Sequence, residues 1–250
     1  MKAESFFDKY ADEYDWLTNA TARVEGHQQE VDAIIKQFQP TRVLDAGCAT
    51  GLTTSLFASK GVEAVGLDRS RQMLKIAEGK YSSTGLPLDF RCGSFEALPK
   101  NLSNSFDLVV CLANSIVGVE SRVNLARSMA GFVRMLRPGG HIITQALNIS
   151  ALRDRMVMPV KTTQHDGIIY SRFLERVGTR SVLYIARTDT RHTPLLAELF
   201  RHESVSFTRE VLTGEMKRAG FTGIRAFADL VMTRRFSNKS RDIVLAARKR

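Results

Sequence analysis

The sequence predicts an open α/β fold, in which a seven-stranded, mostly parallel sheet has helices on both faces and an inserted antiparallel β lid. Up to residue 150, strand-length apolar runs alternate with helical segments, which is typical of parallel sheets covered on both sides. A glycine-rich turn follows the first strand-like run and leads directly into a helix. After residue 150 the apolar residues alternate with period two, which is typical of antiparallel strands.

Five strands and four helices are predicted in the first 150 residues. Val31, Ile34 and Phe38 recur at helical spacing before the first strand. Ser70 and Ser121 stand where N-caps are expected, immediately before two further helical segments. The predicted helices cover 26–38, 52–60, 70–80 and 121–137, and the predicted strands cover 42–46, 64–67, 88–91, 106–112 and 141–146.

The remaining residues are predicted to form a lid and to complete the sheet. Strands are expected at 168–177, 181–189 and 195–207, with a hairpin turn at Gly178 and Thr179. Thr208 is expected to cap a helix that ends at Gly220, before two last strands at 224–229 and 242–247. We therefore expect a core of residues 1–150 and 207–250, a lid at 151–206 and an N-terminal flap at 1–25.

Composition and charge restrict the environment and the ligands. The chain has 250 residues, 44% of them hydrophobic, and no apolar run approaches the length that crosses a bilayer. Three cysteines and a polar, acidic N-terminus favour a cytoplasmic protein with reduced thiols. Residues 1–150 are formally neutral, so the whole net charge of +10 lies after residue 150. This distribution favours an anionic ligand or partner for the second part of the chain, although a solvated basic surface would look the same.

The glycine-rich turn is the first candidate binding feature. Asp45 to Gly51 (DAGCATG) joins a strand to a helix, and glycines there let the backbone approach a ligand closely. Dinucleotide-binding domains share such a turn, so it is weak evidence alone. Asp68 ends the second strand, where a carboxylate can accept both ribose hydroxyls of an adenosine, or can simply cap the next helix.

Four segments, taken in this order and spacing, resemble the class I S-adenosylmethionine-dependent methyltransferases: VLDAGCATG, VGLDRSRQML, FDLVVCLANS and LRPGGHIIT. The resemblance implies a Rossmann-like methyltransferase sheet, with S-adenosylmethionine as the cofactor and S-adenosylhomocysteine as its product. Ala49 replaces the usual middle glycine of the turn, and residues 93–95 lack the acid that often contacts the adenine.

Within this family the sequence most resembles the glycine N-methyltransferase-like group of small-molecule enzymes. Arg23 matches in spacing the arginine that pairs with the cofactor carboxylate, and Asn114 matches an asparagine that faces the substrate. Leu147 stands where the glycine-binding members have an arginine for the substrate carboxylate. Glycine and sarcosine are therefore doubtful acceptors.

The resemblance and the chemistry of the residues together define an expected site, with no metal. The candidate catalytic residues are Tyr14, Asn114, His165 and His202. Substrate contacts are expected from Asn114, Asn148, Arg172, Arg187 and Arg201. Cofactor contacts are expected from Tyr10, Arg23, Asp45, Gly47, Cys48, Ala49, Gly51, Asp68, Arg69, Met73, Gly93, Ser94, Phe95, Leu112 and Ala113.

The implied reaction is an in-line displacement at a sulfonium methyl, so the protein has to align the acceptor and exclude water. The flap aromatics Tyr10, Tyr14 and Trp16 suit attraction of the sulfonium. A hydroxyl acceptor requires a base, for which the two lid histidines are candidates.

The expected acceptor is a small, anionic molecule methylated on nitrogen or oxygen. RNA methylation is an alternative because of the basic segment 233–241, and a non-catalytic cofactor-binding regulator is another. A homodimer is compatible with the sequence, and no membrane-spanning segment is expected.

Overall fold

The computed structural model describes residues 6–250, and its centre is a seven-stranded sheet with the strand order β10-β11-β5-β4-β1-β2-β3. The sheet is parallel except at β11, which pairs antiparallel with both β5 and β10. The predicted α/β fold class is thus confirmed. The strands are β1 Arg42–Ala46, β2 Glu63–Asp68, β3 Leu88–Cys92, β4 Phe106–Cys111, β5 Leu136–Leu147, β6 Val157–His165, β7 Ile168–Val177, β8 Arg180–Asp189, β9 Leu196–Val205, β10 Phe221–Phe227 and β11 Asp242–Lys249.

Helices cover both faces of this sheet. The helices α3 and α4 bury Val31, Ile34 and Phe57 on one face, whereas α6 and α7 bury Phe132 and Met216 on the other. No helix in residues 6–250 is long and apolar enough to cross a membrane. The helices are α1 Phe6–Lys9, α2 Tyr14–Thr18, α3 Ala20–Phe38, α4 Leu52–Ser59, α5 Arg71–Tyr81, α6 Arg122–Met135 and α7 Arg209–Ala219.

The three predicted N-caps are confirmed. The side chains of Ser70, Ser121 and Thr208 accept hydrogen bonds from the backbone N–H groups of Met73, Asn124 and Val211, respectively. Each hydroxyl thereby satisfies one of the N–H groups that the first turn of a helix leaves unpaired. The starts of α5, α6 and α7 are therefore determined locally.

The lid contains four antiparallel strands in the order β6-β7-β8-β9, one more than the sequence predicted. The additional strand β6 lies at an edge of this sheet, and most of its residues are exposed. An edge strand with so little burial carries hardly any apolar alternation, which explains why the period-two pattern failed to reveal it. Two core strands also begin earlier than predicted, β5 at Leu136 and β10 at Phe221.

The N-terminal flap packs between the lid and the central sheet, although residues 1–5 of the predicted flap lie outside the described residues. Phe6 and Leu17 of the flap form a buried cluster with Ile168, Tyr170 and Ile185 of the lid. The flap and the inner face of the lid therefore share one hydrophobic core.

A buried ion pair fastens the flap to the lid. The carboxylate of Glu13 accepts hydrogen bonds from Nε and Nη2 of Arg187 at 2.9 and 2.8 Å, and another from the Tyr170 hydroxyl. Burial alone would raise the pKa of Glu13, but the hydrogen bonds from Arg187 and Tyr170 outweigh it and lower the pKa. The expectation that Arg187 binds substrate is not supported, because Glu13 already occupies its guanidinium group.

We predict that Glu13→Gln destabilises the protein by about 3 kcal/mol, because it leaves the buried charge of Arg187 with only the longer ion pair to Asp189, at 3.8 Å. Lys9→Gln is the matched control, since Lys9 pairs with Glu198 at the same interface but the two side chains are 45% and 41% exposed. That change should alter stability far less than Glu13→Gln does, because solvent screens an exposed ion pair.

Urea unfolding measures both effects. Since the pKa of Glu13 is depressed in the folded state, its contribution is present above the unfolded pKa, about 4.3, and disappears as the pH falls through the folded value. The difference between wild type and Glu13→Gln should therefore shrink in acid. Equal effects of the two variants at pH 7 would contradict this assignment.

Candidate active site

The glycine-rich turn wraps over the carboxyl end of β2. The backbone N–H groups of Gly47 and Cys48 both donate to the carbonyl oxygen of Leu67, at 2.7 and 3.1 Å. Gly47 has φ +87°, and a Cβ there would lie 2.6 Å from Cβ of Ser115. Gly51 has φ +85° and is closed in by the ring of Phe90. Glycine is therefore required at both positions, for the left-handed backbone as well as for space.

Asp68 connects the glycine-rich turn to the turn between β2 and α5. Its two carboxylate oxygens accept the backbone N–H groups of Ala49 and Ser70, each at 2.9 Å. Ser70, rather than Asp68, caps α5 with its side chain. Each carboxylate oxygen has a further lone pair, so Asp68 can still accept two hydroxyl groups from a ligand. Ala49, which has φ +47°, is held in its left-handed conformation by this contact.

The flap closes over these two turns. Asp15 accepts a hydrogen bond from the Thr50 hydroxyl at 2.7 Å and also binds Lys80 of α5. Asp8 accepts a hydrogen bond from the hydroxyl of Ser70 at 2.5 Å. Two flap carboxylates thus lie at the glycine-rich turn and at the start of α5, so the flap borders the expected cofactor position.

On the predicted adenine side, β3 leads into a short 3-10 turn at Phe95–Ala97. The N–H of Gly93 donates to the Asp68 carbonyl at 2.9 Å, and the Phe95 ring lies beside Gly47 and packs on Phe132. Met73 is buried at the start of α5, whereas Arg69 is exposed. The structure therefore brings most of the predicted adenosine contacts to one edge of the sheet.

The end of β4 is braced against β5. Ala113 and Asn114 both adopt left-handed conformations, with φ +51° and +68°. The N–H of Ala113 donates to Oε1 of Gln145 at 3.0 Å, and the N–H of Leu147 donates to Oδ1 of Asn114 at 2.9 Å. The Asn114 amide is thereby oriented, with its NH2 group remaining as a donor. Sequence reasoning missed Gln145, because no local signal marks a side chain that braces a neighbouring strand.

Tyr14, Arg23 and Arg172 lie within electrostatic range of one another. Burial raises the pKa of Tyr14 to about 12, and the charge of Asp68 adds to this effect while Arg23 and Arg172 oppose it. Burial also lowers the pKa of Arg172, as does the charge of Arg23. Nε of Arg172 is buried without a hydrogen-bond partner in the part of the chain that the structure describes. A partly buried guanidinium group without a hydrogen-bond partner at Nε has donors available for an anion.

The predicted lid arginines therefore separate into different roles. Arg172 pairs across strands with Ile185, which packs against the flap, so Arg172 lies on the inner face of the lid. Arg201 lies opposite Tyr184, one strand position away from Ile185, and therefore on the other face of the lid sheet. Its side chain is 55% exposed and forms a salt bridge with Glu203 at 2.9 Å. The structure does not bring Arg201 to the site, because successive strand residues point to opposite faces.

The two lid histidines also differ. His202 packs edge-on against Phe7 of the flap at a centroid distance of 5.9 Å, and Phe7 in turn packs against Tyr14 at 6.2 Å. Burial lowers the pKa of His202, and the nearby charge of Arg69 does so further. His202 is therefore a neutral imidazole at neutral pH, able to accept a proton. His165 stacks on Trp16 at 4.2 Å and is exposed, so the structure gives it a packing contact.

Tyr10 and Asn148 are engaged elsewhere. The Tyr10 hydroxyl donates to Glu198 of the lid, and its ring lies 4.7 Å below the guanidinium group of Arg187. Asn148 is buried, and its Nδ2 donates to the carbonyl oxygens of Asn238 and Ser240 at 3.1 and 2.9 Å. These contacts direct Tyr10 to the lid and Asn148 to the β10–β11 connection, away from the ligand contacts expected of them.

Asp45 is buried below the glycine-rich turn and accepts a hydrogen bond from the Thr54 hydroxyl at 2.7 Å. Burial raises its pKa to about 6. Burial likewise raises the pKa of the thiols of Cys48 and Cys111, which keeps both protonated. In residues 6–250, no group of three or more His, Cys, Asp or Glu side chains could hold a metal ion.

Residues 43–140 match a family model described as a methyltransferase domain. This segment contains the glycine-rich turn, Asp68 and the end of β4. The family predicted from the sequence is therefore confirmed for this segment, whereas the glycine N-methyltransferase-like subgroup remains a prediction.

Relatives of known function resemble part of the chain. A ubiquinone biosynthesis O-methyltransferase of Chromobacterium violaceum is 30% identical over 110 residues, which cover 44% of this chain and 46% of that protein. Another, of Xanthomonas axonopodis, is 27% identical over 157 residues, which cover 59% and 64% of the two chains. The chain thus spans about half the length of the relatives that it matches.

Solved structures resemble nearly the whole chain. An S-adenosylmethionine-dependent methyltransferase from Clostridium acetobutylicum has a TM-score of 0.77 at 18% identity, covering 98% of this chain and 99% of that one. DesVI of Streptomyces venezuelae also has a TM-score of 0.77 at 18% identity, covering 96% and 98%. CalS10, an amino pentose methyltransferase bound to S-adenosylmethionine, has a TM-score of 0.74 at 18% identity over the whole of both chains. These likenesses establish the methyltransferase fold, including the lid.

We predict that Asp45→Asn stabilises the ligand-free protein at pH 7.5. The pKa of Asp45 in the folded state, about 6, exceeds the unfolded value of about 3.9, so the folded protein loses stability as the pH rises through this interval. Asparagine still accepts the hydrogen bond from Thr54 but carries no charge. The variant should be more stable by up to about 3 kcal/mol above pH 6 and equal to wild type below pH 4. Urea unfolding across this range tests it, and a constant difference at all pH values would contradict it.

Proposed function

We propose that this chain, which carries a class I methyltransferase domain, transfers a methyl group from S-adenosylmethionine to a nitrogen or oxygen atom of a small, anionic acceptor. One observation carries the proposal: Asp68 joins the glycine-rich turn to the start of α5, with acceptor capacity to spare. A carboxylate with spare acceptor capacity, beside a turn that admits a ligand against the backbone, supports binding of a ribose. The family match over residues 43–140 supports methyl transfer over other uses of an adenosine site.

The residues present fit the cofactor. Asp68 can accept the ribose hydroxyls, Phe95 and Met73 offer apolar surface for the adenine, and the exposed Arg23 can pair with the carboxylate. Tyr14 experiences the charges of both Asp68 and Arg23, so it lies near both of these residues. When bound, the cofactor supplies a methyl group on a positively charged sulfur, which leaves little covalent chemistry to the protein.

The protein's contribution is to bind, orient and dehydrate the acceptor. The shared core of flap and lid excludes water from the cleft, and the braced amide of Asn114 offers a fixed donor. His202, held neutral by its surroundings, can take the proton that a hydroxyl or ammonium acceptor must lose. His202 serves either acceptor class, in keeping with relatives described as O-methyltransferases and a structural neighbour described as a sugar N-methyltransferase.

The unpaired guanidinium group of Arg172 supports an anionic acceptor. A buried cation without a partner is unfavourable unless a ligand neutralises it, and Arg23 repels it further. A carboxylate or phosphate bound to Arg172 would relieve both effects. A cytoplasmic location and a homodimer remain predictions.

The proposal is tested with cofactor carrying a labelled methyl group, offered to the protein together with panels of carboxylate, phosphate and phenolic acceptors and total RNA. We expect label on at least one small anionic acceptor. Label on RNA alone would assign the chain to nucleic-acid modification. Tight cofactor binding with no labelled product in any panel would favour a non-catalytic regulator.

We predict that Asp68→Ala weakens S-adenosylmethionine binding by about 1–3 kcal/mol, because it removes the two expected hydrogen bonds to the ribose. Isothermal titration calorimetry with the cofactor and its demethylated product measures the change. Both ligands should lose the same amount, since they share the ribose. Unchanged affinity for both would contradict the ribose assignment.

We predict that Arg172→Gln raises KM for the anionic acceptor at least tenfold and leaves cofactor affinity unchanged. The matched control is Arg201→Gln, which removes the same charge from the outer face of the same sheet. Steady-state kinetics with an acceptor found by the labelling experiment, together with calorimetry for the cofactor, separates the two effects. If Arg172→Gln weakens cofactor binding instead, Arg172 binds the cofactor carboxylate and the substrate assignment is wrong.

A further inference from the structure

A cavity opens at the carboxyl end of β5, beside the start of β11. Its volume is about 590 Å3, which is within the range of small-molecule sites. Glu30 of α3 and Gln145 of β5 form part of the wall, and the connection between β10 and β11 forms the remainder. None of the predicted site residues lines this cavity.

The cavity wall carries unpaired positive charge. Arg235, Lys239 and Arg241 line it, and within residues 6–250 none of the three makes a salt bridge. Three carboxyl groups also line the wall: Asp229 binds Arg234 at 2.6 Å, Glu30 binds His27 at 2.7 Å, and Asp242 experiences the charge of Arg241. With Arg234 included, the wall has four cations and three carboxyl groups, so the cations are in excess by one.

The β10–β11 connection, which carries these cations, is held in place by hydrogen bonds. Asn148 donates from its side chain to the carbonyl oxygens of Asn238 and Ser240, and its backbone N–H donates to the Arg241 carbonyl at 2.8 Å. The N–H of Ser237 donates to Oγ of Ser240 at 2.9 Å, and Leu230 is buried in the core. A solvated basic surface needs no such fixation, whereas a binding site gains affinity from it.

The cavity is connected to the proposed methyl-transfer site through Gln145. Its Oε1 accepts the N–H of Ala113 at the end of β4, and the same residue lines the cavity together with Asp242. Because β4, β5 and β11 are neighbours, two strand spacings separate β4 from β11, about 10 Å. A ligand of moderate length can therefore occupy the cavity and reach the end of β4.

We propose that this cavity binds a phosphate-bearing part of the acceptor, about two strand spacings, or about 10 Å, from the end of β4. The inference rests on the proposed function for its second half, the link to methyl transfer. Arg235, Lys239 and Arg241 can together contact several anionic oxygens, and guanidinium groups match phosphate oxygens in pairs. The acceptor is then an extended molecule, with its reacting end under the lid and its phosphate beside β11.

The test is calorimetric titration with inorganic pyrophosphate. The variant Arg235→Gln/Arg241→Gln removes two unpaired cations from the cavity. The control Arg127→Gln/Lys217→Gln removes the same charge from the exposed surfaces of α6 and α7, on the opposite face of the sheet. We expect the cavity variant to bind pyrophosphate at least tenfold more weakly, the control to bind within twofold of wild type, and both to keep wild-type affinity for S-adenosylmethionine.

Equal losses in the two variants would overturn the proposal, because they would show a general field rather than a site. Wild-type pyrophosphate affinity in the cavity variant would overturn it as well. Displacement of pyrophosphate by a 20-nucleotide RNA at much lower concentration would make nucleic acid the occupant and overturn the small-acceptor assignment. If the cavity variant loses pyrophosphate while phosphorylated acceptors are never methylated, the anion site stands and the proposed function fails.

Discussion

The carboxylate of Asp68 is the interaction on which the geometry of the site depends. Its two oxygens bind the backbone of the glycine-rich turn and of the turn that starts α5, so one side chain sets the distance between two strand ends. The left-handed conformation of Ala49 is sustained by one of these bonds. Gly47, packed against Ser115, then brings the end of β4 to the same edge. The parallel sheet brings the ends of β1, β2 and β4 to the same edge. The hydrogen bonds of Asp68 then connect the turns that follow β1 and β2.

The flap lies between the central sheet and the lid, and its side chains bind to both. Asp8 and Asp15 bind the two turns below, while Glu13 and Tyr10 bind the lid above. Burying the Glu13–Arg187 pair would be unfavourable without its hydrogen bonds, which Tyr170 completes. Arg172, on the same face of the lid, has no carboxylate partner within residues 6–250. The two arginines therefore differ: Arg187 fastens the flap, whereas Arg172 is available for the anion that we propose.

The positive charge after residue 150 is divided in the same way. Arg187, Arg191 and Arg201 of the lid are paired with carboxylates, so they contribute little to a long-range field. Within residues 6–250, Arg172 makes no salt bridge, and neither do Arg235, Lys239 and Arg241 of the β10–β11 connection. Exposed cations such as Lys217 also make none, but Arg235, Lys239 and Arg241 line a cavity near the carboxyl ends of the strands, where ligands of α/β proteins bind. The positive charge is therefore partly concentrated in that cavity.

The sequence by itself determined the features that depend on neighbouring residues. The parallel core, the N-caps at Ser70, Ser121 and Thr208, and the glycine-rich turn all follow from local spacing and backbone preference. The family resemblance followed from the order of four such segments, and the match over residues 43–140 confirms it. Caps, turns and periodic patterns can be predicted from the sequence because the residues that interact in them are only a few positions apart.

Tertiary structure decided which side chains are free to bind ligands. Arg172, Arg187 and Arg201 have the same chemistry in the sequence, but strand register places Arg201 on the outer face and Glu13 neutralises Arg187. Asn148 appeared to be a substrate residue and instead braces a loop some 90 positions away along the chain. Which distant side chains meet depends on strand register and packing, because a shift of one strand position moves a side chain to the opposite face of the sheet. The structure therefore separates three arginines that the sequence leaves equivalent, and only Arg172 among them has no carboxylate partner within residues 6–250.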